Sequence, residues 1–152
     1  MHKIIIIGTE PPCPRCGLLT QTIRSKISEH NIQAEIIHLS FTDKEAAEIA
    51  AGLGLKPGTA KDVAKQLNLE MDMPGLTEIL RKKPQSNTDE YSPWNNCNWS
   101  PELDEFLKPY QEKAKDAGIL MTPVVIINNK IMHQGSVPPL EMLNNWLSEL
   151  KS

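Results

Sequence analysis

The sequence predicts a single α/β domain, and three observations lead to that fold class. A run of four isoleucines at residues 4–7 precedes a Cys-x-x-Cys motif and an amphipathic segment, which predicts a buried strand followed by a helix. A second apolar segment at 32–39 then completes a βαβ unit. Near the end of the chain, the apolar segment 124–127, a turn at Asn128–Asn129 and an amphipathic segment predict a β-hairpin and a closing helix.

Composition and charge limit the classes of function. The 152 residues are enough for one domain and too few for two ordinary ones. The formal net charge is −3, and acidic and basic residues are mixed along the chain, so we expect neither a nucleic-acid nor a membrane partner. The N-terminal apolar run is too short for a signal peptide or a membrane span, so we expect a cytoplasmic protein.

The motif Cys13-Pro14-Arg15-Cys16 lies where the first predicted strand meets the first predicted helix. With Cys13 at the helix N-terminus and Cys16 one turn later, the two sulfurs come within bonding distance and favour a reversible disulfide. The positive end of the helix dipole and the Arg15 cation stabilise a thiolate at Cys13 relative to a free cysteine. We therefore predict that Cys13 is the attacking sulfur and Cys16 the resolving one.

The middle of the chain differs in character from both ends. Within one domain that spans 1–152, the sequence predicts that residues 41–99 are mainly α-helical. Apolar residues recur there at helical spacing in three segments, which begin near Thr42, Thr59 and Pro74. A polar loop follows at 83–100 and contains Cys97.

The next predicted helix begins at Ser100–Pro101, a capping signal, and runs toward Gly118. Pro109 falls inside this helix, so we expect a kink or an interruption there.

On these residues the chain resembles the thioredoxin superfamily, and most of all its small thioredoxin/glutaredoxin-like dithiol proteins. The resemblance is carried by Cys-Pro-Arg-Cys at the strand–helix junction and by Met121-Thr122-Pro123 ahead of the hairpin and closing helix. It covers residues 1–40 and 100–150. It implies a thioredoxin-like fold, βαβ plus ββα around a mixed sheet of about four strands, in which the segment 41–99 is an addition.

The resemblance also implies the substrate-binding residues. The Thr122–Pro123 bond would be cis, with Pro123 against the disulfide and the Thr122 backbone facing an incoming extended segment. Pro14 and Arg15 of the dithiol motif complete this candidate set.

The predicted activity is that of a thiol–disulfide oxidoreductase. Cys13 attacks a disulfide of a protein or small-molecule substrate, and Cys16 then displaces the reduced substrate. A reductase or thiol donor must recycle the pair, and no metal or organic cofactor is required.

Other interpretations of the thiols stay open. The cysteine pair fits an inert structural disulfide, or half a zinc site that Cys97 with His133 or His38 would complete. Cys97 fits a plain loop cysteine or a third thiol that reaches the site. A non-catalytic thiol module would bind a soft metal or sense oxidants, and would signal to a partner through the insertion. His38 and His133 are each interpreted as structural histidines with satisfied hydrogen bonds.

Overall fold

The computed structural model describes residues 1–9, 14–81 and 101–150. Strands and helices alternate at both ends of the chain, and helices dominate its middle. The elements in chain order are β1 (His2–Gly8), α1 (Pro14–Glu29), β2 (Ala34–Ser40), α2 (Lys44–Ala51), β3 (Lys56–Gly58), α3 (Ala60–Gln66), α4 (Met73–Arg81), α5 (Pro101–Lys113), β4 (Ile119–Met121), β5 (Val124–Ile127), β6 (Lys130–Gln134) and α6 (Leu140–Ser148).

The main sheet has four strands in the order β2-β1-β5-β6. Strand β1 pairs with β2 in parallel and with β5 in antiparallel, and β5 pairs with β6 in antiparallel. Helix α1 makes the crossover from β1 to β2, and α6 follows the β5–β6 hairpin. This βαβ plus ββα arrangement around a mixed sheet is a thioredoxin-like fold, which confirms the predicted fold class.

Helices cover both faces of β1, which explains its four buried isoleucines. Side chains alternate between the faces of a strand, so Ile4 and Ile6 point one way and Ile5 and Ile7 the other. The first pair packs against α1 and α6, and the second against α2. A strand that is buried on both faces needs a continuous apolar sequence rather than an alternating one.

The structure also confirms the hairpin turn that the sequence predicted at Asn128–Asn129. Asn128 and Asn129 have φ values of 49° and 69°. Two consecutive residues at positive φ form the turn whose twist suits a two-residue hairpin, and asparagine tolerates that conformation best after glycine. The turn therefore joins β5 to β6 directly.

Helices α3, α4 and α5 form a second core with β4. Their buried residues include Val63, Leu76, Leu107 and Tyr110. The predicted helices are present, but Pro109 does not end α5, which runs on to Lys113. The structure also adds strand β3, which the sequence did not predict and which pairs in parallel with β4.

Strand β4 connects the two parts of the packing. Ile119 and Met121 belong to the core of α3, α4 and α5, whereas Leu120 belongs to the core that contains Ile5 and Ile7. Strand β4 therefore contributes alternate side chains to the core of α3, α4 and α5 and to the core on the α2 face of the sheet. No helix in the described ranges is long and apolar enough to cross a bilayer.

A polar network joins α5 to the loop after β6. The Gln111 amide donates to the Gln134 carbonyl oxygen at 2.9 Å and to Ser136 Oγ at 3.1 Å. Ser136 Oγ lies 2.8 Å from His133 Nε2. Burial lowers the pKa of His133 from its usual 6.5, and Asp104 opposes this more weakly. Neutral His133 can thus accept the Ser136 hydroxyl hydrogen.

This network predicts that acid destabilises the protein through His133. Because the folded pKa lies below the unfolded one, the unfolded chain binds more protons below about pH 6.5, and stability falls as the pH decreases. We expect the free energy of unfolding to drop more between pH 7.5 and 5.5 in the parent protein than in His133→Gln, as measured in urea. Equal drops would contradict this role for His133.

A capping interaction sets the start of α3. The Asp62 carboxylate accepts hydrogen bonds from the Thr59 N–H at 2.8 Å and from Thr59 Oγ1 at 3.1 Å. We expect Asp62→Ala to cost about 1 kcal/mol of unfolding free energy in urea titrations. The neighbouring exposed substitution Lys61→Ala is the control, with an effect within about 0.5 kcal/mol. Similar values for the two variants would argue against the cap.

Candidate functional site

The candidate site lies at the carboxyl end of β1, where α1 begins. Cys16 is the third residue of α1, and its side chain is completely buried. Pro14 and Arg15 precede it in the first turn. Cys13 and Cys97 lie outside the described residues, so their predicted roles as attacking and third thiol stay predictions.

Gly8, the last residue of β1, lies beside this thiol. A Cβ at Gly8 would lie 2.7 Å from Cys16 Sγ and 2.9 Å from Cys16 Cβ. Real Cβ atoms essentially never come within 3.0 Å of another heavy atom in this way. Glycine is therefore the residue that lets α1 approach the strand end this closely.

His38 meets the same point from the neighbouring strand. Its Nε2 would lie 3.1 Å from a Cβ at Gly8, so Nε2 and Cys16 Sγ are at most 5.8 Å apart, the sum of their distances to that point. In the register of β1 with β2, Ser40 is opposite Gly8 and His38 is opposite Ile6. Ile6 points to the face of the sheet that α1 covers, and its partner His38 points to the same face. This explains why His38 faces Cys16.

The environment of His38 differs from the expected one. Its Nε2 is buried and has no hydrogen-bond partner among the residues that the structure describes. The interpretation of His38 as a satisfied structural histidine is therefore wrong. Alternation along β2 was the sequence signal that could have placed it, because Ala34 and Ile36 share its face and pack against the core of α1 and α6. His133, by contrast, keeps its hydrogen bond to Ser136.

Thr122 and Pro123 lie next to this site. The Thr122–Pro123 bond is cis, the form that the resemblance implied. The register of β1 with β5 ends at the pair of Ile7 and Val124, so one step further places Pro123 beside Gly8. The structure thus brings Cys16, His38 and Pro123 to the same end of the sheet.

The edge of β4 is already paired, which corrects one expectation. The Thr122 N–H donates to the Gly58 carbonyl oxygen at 2.8 Å, and the Lys56 N–H donates to the Gly118 carbonyl oxygen at 2.9 Å. The expectation that the Thr122 backbone faces an incoming segment is therefore wrong for its N–H. The cause is β3, which occupies the position of an added strand. Substrate binding by Thr122 and Pro123 through other atoms stays a prediction.

The described side chains do not gather into a larger ligand set. In residues 1–9, 14–81 and 101–150, no three His, Cys, Asp or Glu side chains are placed to hold a metal ion. His133 lies on β6 and His38 on β2, at opposite edges of the main sheet. These two histidines therefore cannot act on one centre, and any site at Cys16 has His38 as its imidazole.

Comparisons with known proteins return a likeness in structure and none in sequence. No protein-family model matches the sequence, and no curated protein matches it. Among solved structures, the chain is similar to a periplasmic thioredoxin-like protein from Salmonella enterica serovar Typhimurium, at 15% sequence identity and a TM-score of 0.41. The match covers 99% of this chain and 85% of that one. The description of this fold as thioredoxin-like rests on the sheet order and connections given above.

Proposed function

We propose that this protein is a thiol–disulfide oxidoreductase that uses Cys13 and Cys16 as its redox-active pair. The observation that carries the proposal is the position of Cys16. Its completely buried thiol lies in the first turn of α1, against the carboxyl end of the central strand. In open α/β sheets, chemistry gathers at the carboxyl ends of strands.

The burial of Cys16 supports different tasks for the two cysteines. A substrate disulfide cannot reach a thiol with no exposed surface, so the first attack falls to Cys13, which precedes the helix. Cys13 thiolate attacks one sulfur of the substrate, the substrate disulfide breaks, and one half leaves as a thiolate. Cys16 then attacks Cys13, and the second half of the substrate leaves. The products are two substrate thiols and a Cys13–Cys16 disulfide.

The substrate class follows from the access that this arrangement leaves. Because β3 occupies the β4 edge, we propose that substrates bind through the disulfide itself and its immediate neighbours, without adding a strand at the Thr122 N–H. Such substrates are small disulfides or protein disulfides in exposed loops. A reductase or thiol donor returns the pair to the dithiol state, and the chemistry needs no metal or organic cofactor.

The proposal includes a placement within the superfamily. We propose a small thioredoxin/glutaredoxin-like dithiol protein, one domain over 1–152, with residues 41–99 as a helical insertion and a cytoplasmic location. Helices α2, α3 and α4 support the insertion, because they lie between β2 and β4 in the chain. Cys97 falls in the proposed insertion and is a candidate third thiol.

A second candidate function has one observation in its favour. Cysteine and histidine are preferred ligands of zinc and other soft metals, and an unpartnered His38 Nε2 lies within 5.8 Å of Cys16 Sγ. With Cys13 as a third ligand, these residues would make a metal-binding or sensing module. Stoichiometric metal in protein purified under reducing conditions, lost in His38→Gln, would favour this function over disulfide exchange.

The cysteine assignment predicts different phenotypes for the two serine variants. Cys13→Ser removes the first nucleophile, so we expect no turnover of a small aromatic disulfide. Cys16→Ser keeps the first attack but cannot resolve it, so we expect one substrate half per protein, detected as a mixed disulfide by mass spectrometry. Equal residual turnover in the two variants would exclude these roles.

The contact at Gly8 predicts a defect from a single methyl group. In Gly8→Ala, the new Cβ pushes Cys16 Sγ away from the strand end. We expect a loss of about 1–3 kcal/mol in unfolding free energy, as for other overpacked sites. We also expect the Cys13–Cys16 disulfide to form more slowly, as measured by alkylation of the remaining free thiols.

The matched control is Gly52→Ala, because a Cβ at Gly52 meets its nearest atom at 3.4 Å, an ordinary contact. We expect this variant to keep the parental stability and closure rate. If Gly8→Ala also kept the parental stability and closure rate, the inference that Cys16 packs tightly on β1 would be wrong.

A further inference from the structure

The nitrogen Nε2 of His38 is an unusual group in this protein. It is buried, and within residues 1–9, 14–81 and 101–150 it makes no hydrogen bond. Buried polar atoms in proteins are nearly always paired, and a buried nitrogen without a partner calls for an explanation. Catalytic groups are one recognised class of exception, because they must stay available for a reacting atom.

The surroundings of Nε2 identify the atom that it serves. Nε2 and Cys16 Sγ approach the same side of Gly8, at 3.1 and 2.7 Å from the position of a Cβ. The two atoms are at most 5.8 Å apart, and glycine leaves no side chain at that point. A rotation of the Cys16 side chain or one bridging water spans this separation, and hydrogen bonds of catalytic groups are often long before the reacting complex forms.

The chemistry of Cys16 requires such a group. A thiol attacks as its thiolate, and burial disfavours the charged form. Cys16 has no exposed surface from which water could take its proton. Imidazole is the side chain most often used as a proton acceptor near neutral pH.

We propose that His38 accepts the proton of Cys16 through Nε2 when Cys16 resolves the mixed disulfide. This inference rests on the proposed function. The Cys16 proton moves to Nε2, the Cys16–Cys13 bond forms, and the bond from Cys13 to the substrate sulfur breaks. That sulfur leaves with the bonding electrons as a thiolate, and the imidazolium returns the proton to it or to water. The step uses the tautomer of neutral His38 in which Nδ1 carries the hydrogen and Nε2 accepts.

The test separates the first attack from the second. Reduced full-length protein carrying Cys97→Ser reacts with one equivalent of 5,5′-dithiobis(2-nitrobenzoate). The first coloured thiolate reports the attack by Cys13, and the second reports the attack by Cys16. In His38→Gln we expect the first release at the parental rate and the second slowed by about 100-fold, the lower end of the range for general acid–base catalysis.

Two further variants distinguish proton transfer from packing. His38→Glu restores a proton acceptor at the same position, so we expect it to recover a large part of the second rate. His30→Gln removes an imidazole just after α1, at the opposite end of the helix from Cys16, and should keep both rates. A cooperative unfolding transition in urea shows that each variant has folded.

Each result decides the matter. A second release in His38→Gln within about twofold of the parental rate would overturn the role of His38 while leaving the proposed function intact. The same would follow if His38→Glu were as slow as His38→Gln. If the parent released no second thiolate, the proposed exchange by Cys13 and Cys16 would fail, and the inference with it.

Discussion

The close approach of α1 to the end of β1 is the constraint on which the candidate site depends. The four isoleucines fix β1 in the centre of the sheet, because both of its faces are covered. Gly8 then ends the strand with no side chain, so that the first turn of α1 can lie against it. The distance available to a Cβ, 2.7 Å from a sulfur atom, is too short for any other residue without movement of the helix. The position of Cys16 therefore depends both on the burial of β1 and on the glycine at its end.

The second structural constraint is the pairing of β3 with β4. Two backbone hydrogen bonds, from Lys56 to Gly118 and from Thr122 to Gly58, tie the helical part of the chain to the residue before Pro123. On the same strand, Met121 packs in the core of α3, α4 and α5, and Leu120 packs in the core that contains Ile5 and Ile7. Because the helical segment shares a strand with the site, a change in its packing acts on Thr122 directly. The segment is therefore part of the site's framework.

The sequence predicted the features that depend on local pattern. The βαβ unit, the hairpin and the helices show themselves in periodicity and turn residues, and these signals need no knowledge of distant neighbours. Strand β3 has only the three residues Lys56–Gly58, one of them proline, and it exists because Ile119–Met121, some 60 positions later, offers an edge. Such pairing between distant segments leaves no local signal.

The candidate site also contains residues that a local motif predicted and one residue whose role depends on distant segments. Cys16 was predicted because its motif is contiguous, and Pro123 because the resemblance includes it. His38 was misjudged because its environment is set by the register of β2 on β1 and by the missing Cβ of Gly8. A histidine on a strand carries no sign of whether its ring will find a hydrogen-bond partner.

The geometry around Gly8 also bears on the choice between the two candidate functions, disulfide exchange and metal binding. A zinc ion lies about 2.3 Å from sulfur and about 2.0 Å from nitrogen, which in a tetrahedral site brings those two atoms to roughly 3.5 Å. The point that Cys16 Sγ and His38 Nε2 both face is only about 1.5 Å from the Gly8 Cα, the length of a carbon–carbon bond. No ion fits there, so metal binding would require both side chains to turn away from the strand. Proton transfer places no atom at that point, because a rotation of the Cys16 side chain can bring Sγ to Nε2 directly. The geometry at Gly8 therefore supports the proposed proton transfer between Cys16 and His38 over a metal ion held at that point.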